Sequence, residues 1–514
     1  MPCLVAGGLA GCAVGPDFHA PSVPPPGQFA GTPANATAQA ASPPAADPPV
    51  DPGLWWRSLK DPELQSLVDR AIAGSPSLEI ALTRLQEART FEIAVAGLAL
   101  PQVDASSGGG RGTGTDMTRG GRAAGPLNSA DHVPANERIT SISGGALFWD
   151  IDLFGKFRRE IEAARDDARA AAAVRDTVQV AVIADVVRAY LDLRGLQMQF
   201  AVLRQSETAA QKLLDLVQAR FDRGITNELD LTLAQRQYAA VEASIGPLAA
   251  QVQSAQYLIA VLLGQFPEDL EKELATPGVI PLIPSQVATG IPLDLIRRRP
   301  DIRAAEWELA AATARIGVAT GNLFPQLSIS AGLGSQAQGF GYQPAGNQRI
   351  WSAGYSAVLP LLDFGALDSL VRVADLQTHE QLVNYKRTVQ SAVAEVDSAM
   401  AAFQAQQSSI ASLGNAVLAS QRAMTLASER YDRGLSDFLN VVDAQRQAYE
   451  LEGQYVQAEK TLGEQFVALY RSLGGGWEQY AGPPALPLPQ PAIVAMFRQL
   501  VHPGTADTQG DASK

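Results

Sequence analysis

The sequence predicts a mixed α+β membrane protein, in which two copies of one unit each supply a β-hairpin and very long α-helices. Three observations predict it: an eighteen-residue stretch that occurs twice, two long spans of helical periodicity almost free of breakers, and short alternating stretches between the helices.

The repeated stretches are RFDRGITNELDLTLAQRQ at 220–237 and RYDRGLSDFLNVVDAQRQ at 430–447, identical at nine of eighteen positions and 210 residues apart. Repeats are sought first because they decide the architecture. The same offset relates Phe154-Gly155 to Phe364-Gly365 and Leu263-Gly264 to Leu473-Gly474. Upstream it becomes 224, where Ser75-Pro76-Ser77-Leu78 aligns with Arg299-Pro300-Asp301-Ile302. One insertion therefore lies between about 103 and 147, a Gly-rich segment that reads as an enlarged loop. The first copy covers 61–264 and the second 291–476, with 265–290 linking them.

The chain opens with an apolar stretch ending in Leu9-Ala10-Gly11-Cys12. Small residues before a cysteine match a lipoprotein signal, 1–11, cleaved to leave a lipidated Cys12. The stretch is short and carries no Lys or Arg, which fits a start further upstream. The bland alternative is an apolar N-terminus with a chance cysteine. Residues 12–60 are rich in Pro and Ala and are expected to form an extended, poorly ordered arm; 477–514 form a similar tail.

Asp61 can cap a helix with Pro62 at its first position, and the pattern stays helical to about Leu98. From Gly155 to Asp222 there is no proline and one internal glycine, Gly195, and apolar or small residues recur at helix period. Such a helix is about 100 Å long at ~1.5 Å per residue. Residues 365–432 repeat it without proline. Helices of this length belong to elongated bundles or coiled coils. Shorter helices are expected at 228–264 and 437–473, the former kinked or broken at Gly246-Pro247.

Hairpins are expected at 101–153 and 325–360. In LSISAGLG, Leu327, Ile329, Ala331 and Leu333 alternate with Ser or Gly; in IWSAGYSAVLP, Trp351, Ala353, Tyr355, Ala357 and Leu359 do so with Ser352, Gly354, Ser356 and Val358. One face is apolar and the other small or polar. A sandwich sheet would alternate too, but four strands flanked by ~100 Å helices find no second sheet to cover that face. Trp149, Trp351 and Tyr355 near strand ends fit a membrane-interface belt. An apolar face in lipid demands a closed barrel, and four strands fall short of the usual minimum of about eight, so the chain must oligomerise.

A net charge of −13 argues against nucleic acid as a partner. Both cysteines lie in the first twelve residues and only four histidines are present, far apart, so no disulfide framework, metal site, cofactor or enzyme chemistry is expected. SSGGGRGTG at 106–114 lacks the Lys-Ser/Thr of a phosphate loop. No apolar run reaches the ~18 residues of a transmembrane helix. Long Ala-rich helices also suit a periplasmic coiled-coil scaffold, against which the alternating strands argue.

Both repeated stretches read as tight helical hairpins. Gly224 and Gly434 suit the left-handed position that ends a helix, and Arg223 and Arg433 its negative end. Asn227 and Asp437, or Thr226 and Ser436, can cap the next helix. The copies keep a leucine at Leu229 and Leu439 but differ four residues on, where Leu233 becomes Asp443. Under symmetry, one helix face would then project a ring of leucines and a ring of carboxylates, chemistry suited to a constriction. Asp443 could equally pair with Arg446 or Gln447. The run Arg297-Arg298-Arg299 reads by default as a solvated helix end, with assembly contacts as the alternative.

The chain resembles the TolC-type outer-membrane factors, in the lipoprotein branch of efflux outer-membrane channels. The residues that carry this are Leu9–Cys12 with AVGPDF, WWRSLKDPEL, DIDLFGK, IPLDLIRRRPDIRAAE, ARIGVATGNLFPQLS, LPLLDFG and the two R(F/Y)DRG hairpins with DAQRQ, over about 12–477. The resemblance implies a homotrimer, with a twelve-stranded barrel in the outer membrane continued by a twelve-helix periplasmic tunnel closed at its far tip. It implies a passive conduit for small molecules, whose tips at Arg223, Gly224, Arg433 and Gly434 meet a periplasmic adaptor and, through it, an inner-membrane pump of the RND type. Tyr431, Gly434, Leu439, Asn440 and Asp443 match positions that hold or line the closed entrance. Asn440 stands where some members carry a second Asp, and Ser436 where some carry an Arg. A type I protein-secretion conduit is the second reading.

Overall fold

The computed structural model describes residues 13–22, 51–105, 108–111, 137–284, 298–340 and 346–478. Cys12, the signal segment and the tail lie outside the described residues. The helices are α1 (Pro62–Gly74), α2 (Pro76–Leu98), α3 (Lys156–Asp222), α4 (Glu228–Leu262), α5 (Pro267–Leu274), α6 (Pro300–Gly321), α7 (Ala366–Asp432) and α8 (Phe438–Ser472). The strands are β1 (Gln102–Ala105), β2 (Gly108–Arg111), β3 (Glu137–Ile151), β4 (Gln326–Phe340) and β5 (Gly346–Val358).

Asp61 accepts from the amides of Glu63 and Leu64 at 2.9 and 3.1 Å, capping α1. The expected single helix to Leu98 is instead two, because Pro76 forces Ser75 to extended backbone (ψ 124°) and starts α2 afresh. Pro247, by contrast, does not break α4. The carbonyl it orphans, four residues back at Ala243, sits on an exposed stretch where water can satisfy it. The two long helices are 67 residues each and the helices after them 35 each.

All five strands form one antiparallel sheet in the order β1-β3-β4-β5, with β2 also pairing β3. The two hairpins thus join through β3 and β4. Register places Leu147, Ala331 and Ala353 in one row, Trp149, Ile329 and Tyr355 in the next, then Ile151, Leu327 and Ala357. The opposite face carries Ser328, Ser330, Gly332, Ser352, Gly354 and Ser356. Each long helix starts within a few residues of a strand's end, at Gly155 and Gly365, both with left-handed φ (81° and 83°).

The main core lies at the waist of the bundle. Trp55 stacks on Tyr470 with centroids 5.4 Å apart and meets Phe466 edge-on, with Trp56, Leu64, Leu67, Tyr190 and Leu191 packed around them. This corrects the expectation of a loose arm to residue 60: the segment Pro52–Leu59 is a 3-10 turn that drives both tryptophans into the core. Gly195 is the internal glycine of α3 because a Cβ there would stand 2.6 Å from Lys460. Its neighbour Asp192 takes the Lys460 ammonium at 2.6 Å.

The basic run is also corrected. Arg299 is buried, not solvated; its guanidinium bonds both Asp301 oxygens, Glu395 at 2.8 Å and the Ser472 carbonyl at 2.8 Å. A cation on the last carbonyls of α8 matches the helix dipole. Arg298 pairs with Glu478 at 3.5 Å, and Arg297 lies outside the described residues.

Candidate functional site

The candidate site residues lie at opposite ends of the long helices, which separate them by about 100 Å at ~1.5 Å rise per residue. One end is the sheet. On its apolar face Trp351 and Tyr355 are 80% and 81% exposed, an unusual state for side chains that bury well. Trp149 is less exposed, and its indole N–H donates to the Ala99 carbonyl at 3.2 Å. Trp149 and Tyr355 share one row across Ile329, whereas Trp351 pairs with Leu333, four residues further along β5. At ~3.3 Å per residue that is about 13 Å, so the three aromatics do not form a single belt. Trp351 stands within the apolar band; Trp149 and Tyr355 stand nearer the helices. Below them Leu361, Leu362 and Phe364 are also exposed, continuing the apolar surface to the sheet's base. These residues lie within LPLLDFG, past the alternating stretch that ends at Leu359, where strand periodicity carries no signal.

The other end is the pair of helical tips. Each closes by the same hydrogen bonds: Gly224 N–H to Phe221 O and Ile225 N–H to Arg220 O in the first, Gly434 N–H to Tyr431 O and Leu435 N–H to Arg430 O in the second. The glycines have φ 70° and 71°, the left-handed turn that L side chains resist. Arg223 and Arg433 occupy the C-cap positions, exposed beside them. The following helices start differently. Asn227 accepts from the Asp230 amide at 2.9 Å, while Asp437 makes no side-chain cap and Asn440 instead donates to the Ser436 hydroxyl at 3.1 Å.

The tips are latched to each other. Phe438 is buried with Val217, Ala234 and Val442, and Tyr431 packs on it at 5.5 Å. Arg220 of the first tip lies 4.6 Å over the Tyr431 ring and pairs with Asp432 of the second at 3.2 Å. Arg220, Asp432 and Phe438 were not singled out in the sequence. The arginine and aspartate occur in both copies, which hides that the pairing runs from the first copy to the second. With Phe438 and Val442 turned inward, the other face of α8 presents Leu439 (57% exposed), Asn440 and Asp443. Asp443 pairs with Arg446 at 2.9 Å, as the local reading allowed, and Arg446 also reaches Glu450 at 3.4 Å.

A sheet with one bare apolar face, set on helices far longer than a compact domain needs, defines an outer-membrane channel protein with a large periplasmic part. Comparison with known proteins agrees: the model of the family "Outer membrane efflux protein" matches residues 67–265 and 291–475, and the chain belongs to that family. Nodulation protein T of Rhizobium leguminosarum bv. viciae is 30% identical over 472 residues, covering 91% of this chain and 92% of that protein. The antibiotic efflux pump outer membrane protein ArpC of Pseudomonas putida is 28% identical, covering 92% and 94%. Among solved structures, the outer-membrane channel OprN is 35% identical with a TM-score of 0.77, covering 91% of this chain and all of that one. The open-state MtrE channel of Neisseria gonorrhoeae, at 24% identity and a TM-score of 0.72, shares the fold. The protein is an outer-membrane efflux channel component, in a family of channels rather than enzymes.

Proposed function

We propose that three copies close a twelve-stranded barrel over a twelve-helix tunnel, forming a passive conduit for small molecules that is gated at the second-copy tips. The observation that carries this is the sheet's two edges, β1/β2 on one side and β5 on the other, which pair with no further strand among the described residues, beside a bare apolar face. In lipid each open N–H and C=O costs several kcal/mol, so the edges must pair with neighbouring copies. Because β1 and β2 pair successive stretches of β3 and so occupy one strand position, each chain supplies four positions, and three chains complete a ring of twelve within the known range of barrel sizes.

At the far end, Leu439, Asn440 and Asp443 line the constriction and Tyr431 holds it through the Phe438 cluster. Carboxylates ~6 Å apart in water-like surroundings repel by only about 0.7 kcal/mol. Arg446 reduces that further, so closure rests on packing and not on charge. Arg223, Gly224, Arg433 and Gly434, exposed at the turns, are offered to a periplasmic adaptor protein linked to an inner-membrane pump, of the RND type by resemblance. Relatives described as antibiotic efflux and pyoverdine export outer membrane proteins favour a small-molecule cargo over a protein one.

The test of the gate is single-channel conductance in a planar bilayer. Replacing Leu439 and Asp443 together with Ala is expected to raise it; unchanged conductance would remove these residues from the gate.

A further inference from the structure

Residues 13–17 lie immediately after Cys12, in a segment whose Pro- and Ala-rich composition predicts fraying. Instead they are held against the junction of sheet and bundle. The Val14 amide donates to the Phe154 carbonyl at 3.0 Å, in the turn between β3 and α3. Arg159, in the first turn of α3, has a side chain only 5% exposed. Its Nε donates to the Val14 carbonyl at 3.1 Å, and one Nη donates to the Gly15 carbonyl at 3.3 Å and the Asp17 carboxylate at 2.6 Å. Its other Nη is fixed by Glu162 at 2.8 Å. A buried guanidinium with its donors spent on two consecutive carbonyls and a carboxylate is a reader of extended peptide. The Asp17 carboxyl is held below the usual carboxylate range by that Arg159 hydrogen bond.

Three glycines shape the walls. A Cβ on Gly15 would stand 2.4 Å from the Gly317 Cα, and one on Gly155 would stand 2.6 Å from the Ala13 Cα. A Cβ on Gly317 would meet the Arg159 side chain at 2.7 Å and the Val14 carbonyl at 2.8 Å. Three separate elements thus carry no side chain where they meet. Phe154 stacks on Phe324, centroids 4.7 Å apart, tying the β3–α3 turn to the end of α6 beside this contact.

We propose that Arg159, Gly155 and Gly317 form a socket for the chain's own N-terminal segment, seating Ala13–Asp17 at the base of the membrane sheet so that a lipid on Cys12 enters the bilayer beside the barrel. The anchoring role rests on the reading of Cys12 as lipidated; the socket itself does not. Hydrogen exchange of the full-length protein in detergent separates the two. The Val14 amide is expected to exchange at least tenfold faster in Arg159→Gln than in the unaltered protein, with waist helices unchanged. Gly15→Leu lies on the captured segment and leaves the helices intact, and the same acceleration is expected there. Cys12→Ala is expected to keep Val14 protected. A Val14 amide that exchanges equally fast in the unaltered protein and in Arg159→Gln would overturn the socket. So would loss of protection in Cys12→Ala, which would mean that the acyl group holds the segment. A mass spectrum without an acyl group on the unaltered protein would overturn the anchoring role, whatever Val14 does.

Discussion

The two helical tips share half their residues and the same turn, yet they sit in different environments. Around the second tip Phe438, Val441, Val442 and Gln445 are buried; the equivalent Glu228, Leu231, Thr232 and Gln235 of the first are exposed or half-exposed. The second-copy helix α8 packs between α7 and α3, whereas α4 lies chiefly against α3. Duplication therefore preserved the turn, which local backbone chemistry dictates, and released the faces, which neighbours dictate. The tip whose inner face is packed is the one whose outer face carries Leu439 and Asp443.

The comparison breaks most severely at Phe438. Phe438→Ala empties the centre of the tip cluster and should cost about 3–5 kcal/mol, against roughly 0.5 kcal/mol for Glu228→Ala at the equivalent, exposed position of the other copy. Hydrogen exchange at the tips would measure both, and equal losses would erase the asymmetry. The glycines supply the control. With nothing within 4 Å of either added Cβ, Gly224→Ala and Gly434→Ala meet only left-handed strain. Each should lose about 1–2 kcal/mol locally, and equally.

A smaller effect separates the paired arginines. Arg220→Ala removes the Asp432 ion pair and the Tyr431 ring contact, together about 1 kcal/mol at this exposure, and should raise conductance modestly. Arg430, whose hydrogen bond goes to the Leu435 carbonyl of its own turn at 3.4 Å, should change conductance less when replaced by Ala.

The smallest effect lies at the waist, outside either tip. Burial first, and the Glu273 carboxyl beside it, push the Glu63 pKa up to about 7, against Arg70 and Arg194. Glu273 itself is held low despite burial, chiefly by Arg70 at 2.5 Å. A carboxyl raised in the folded state contributes stability that is complete below the unfolded value near 4.5 and lost as pH climbs through about 7. Glu63→Gln should therefore melt with the unaltered protein near pH 4.5 and slightly above it at pH 8.

Much of this was legible in the sequence. Helix period ran unbroken through 156–222 and 366–432, and alternation fixed which strand residues share a face, because both follow from local backbone geometry. Register between strands does not, so only the structure puts Trp149 level with Tyr355; the four residues between Trp351 and Tyr355 on one strand already separate those two along it. The Arg220–Asp432 pair was masked by its own duplication. Arg299 read as solvated because its partners Glu395 and Ser472 are distant in sequence. The socket for residues 13–17 was invisible for the same reason: composition suggested a loose arm, and Arg159 lies over 140 positions away.

The most direct measurement is an electron-microscope reconstruction of the detergent-extracted protein, fine enough to place the helices at the tip. The account predicts hollow rods with three-fold symmetry, over about 100 Å long, with Leu439 and Asp443 nearer the axis than Leu229 and Leu233. Compact or solid particles would contradict the conduit, and a three-fold rod with Leu229 and Leu233 innermost would contradict the assignment of the gate to the second copy.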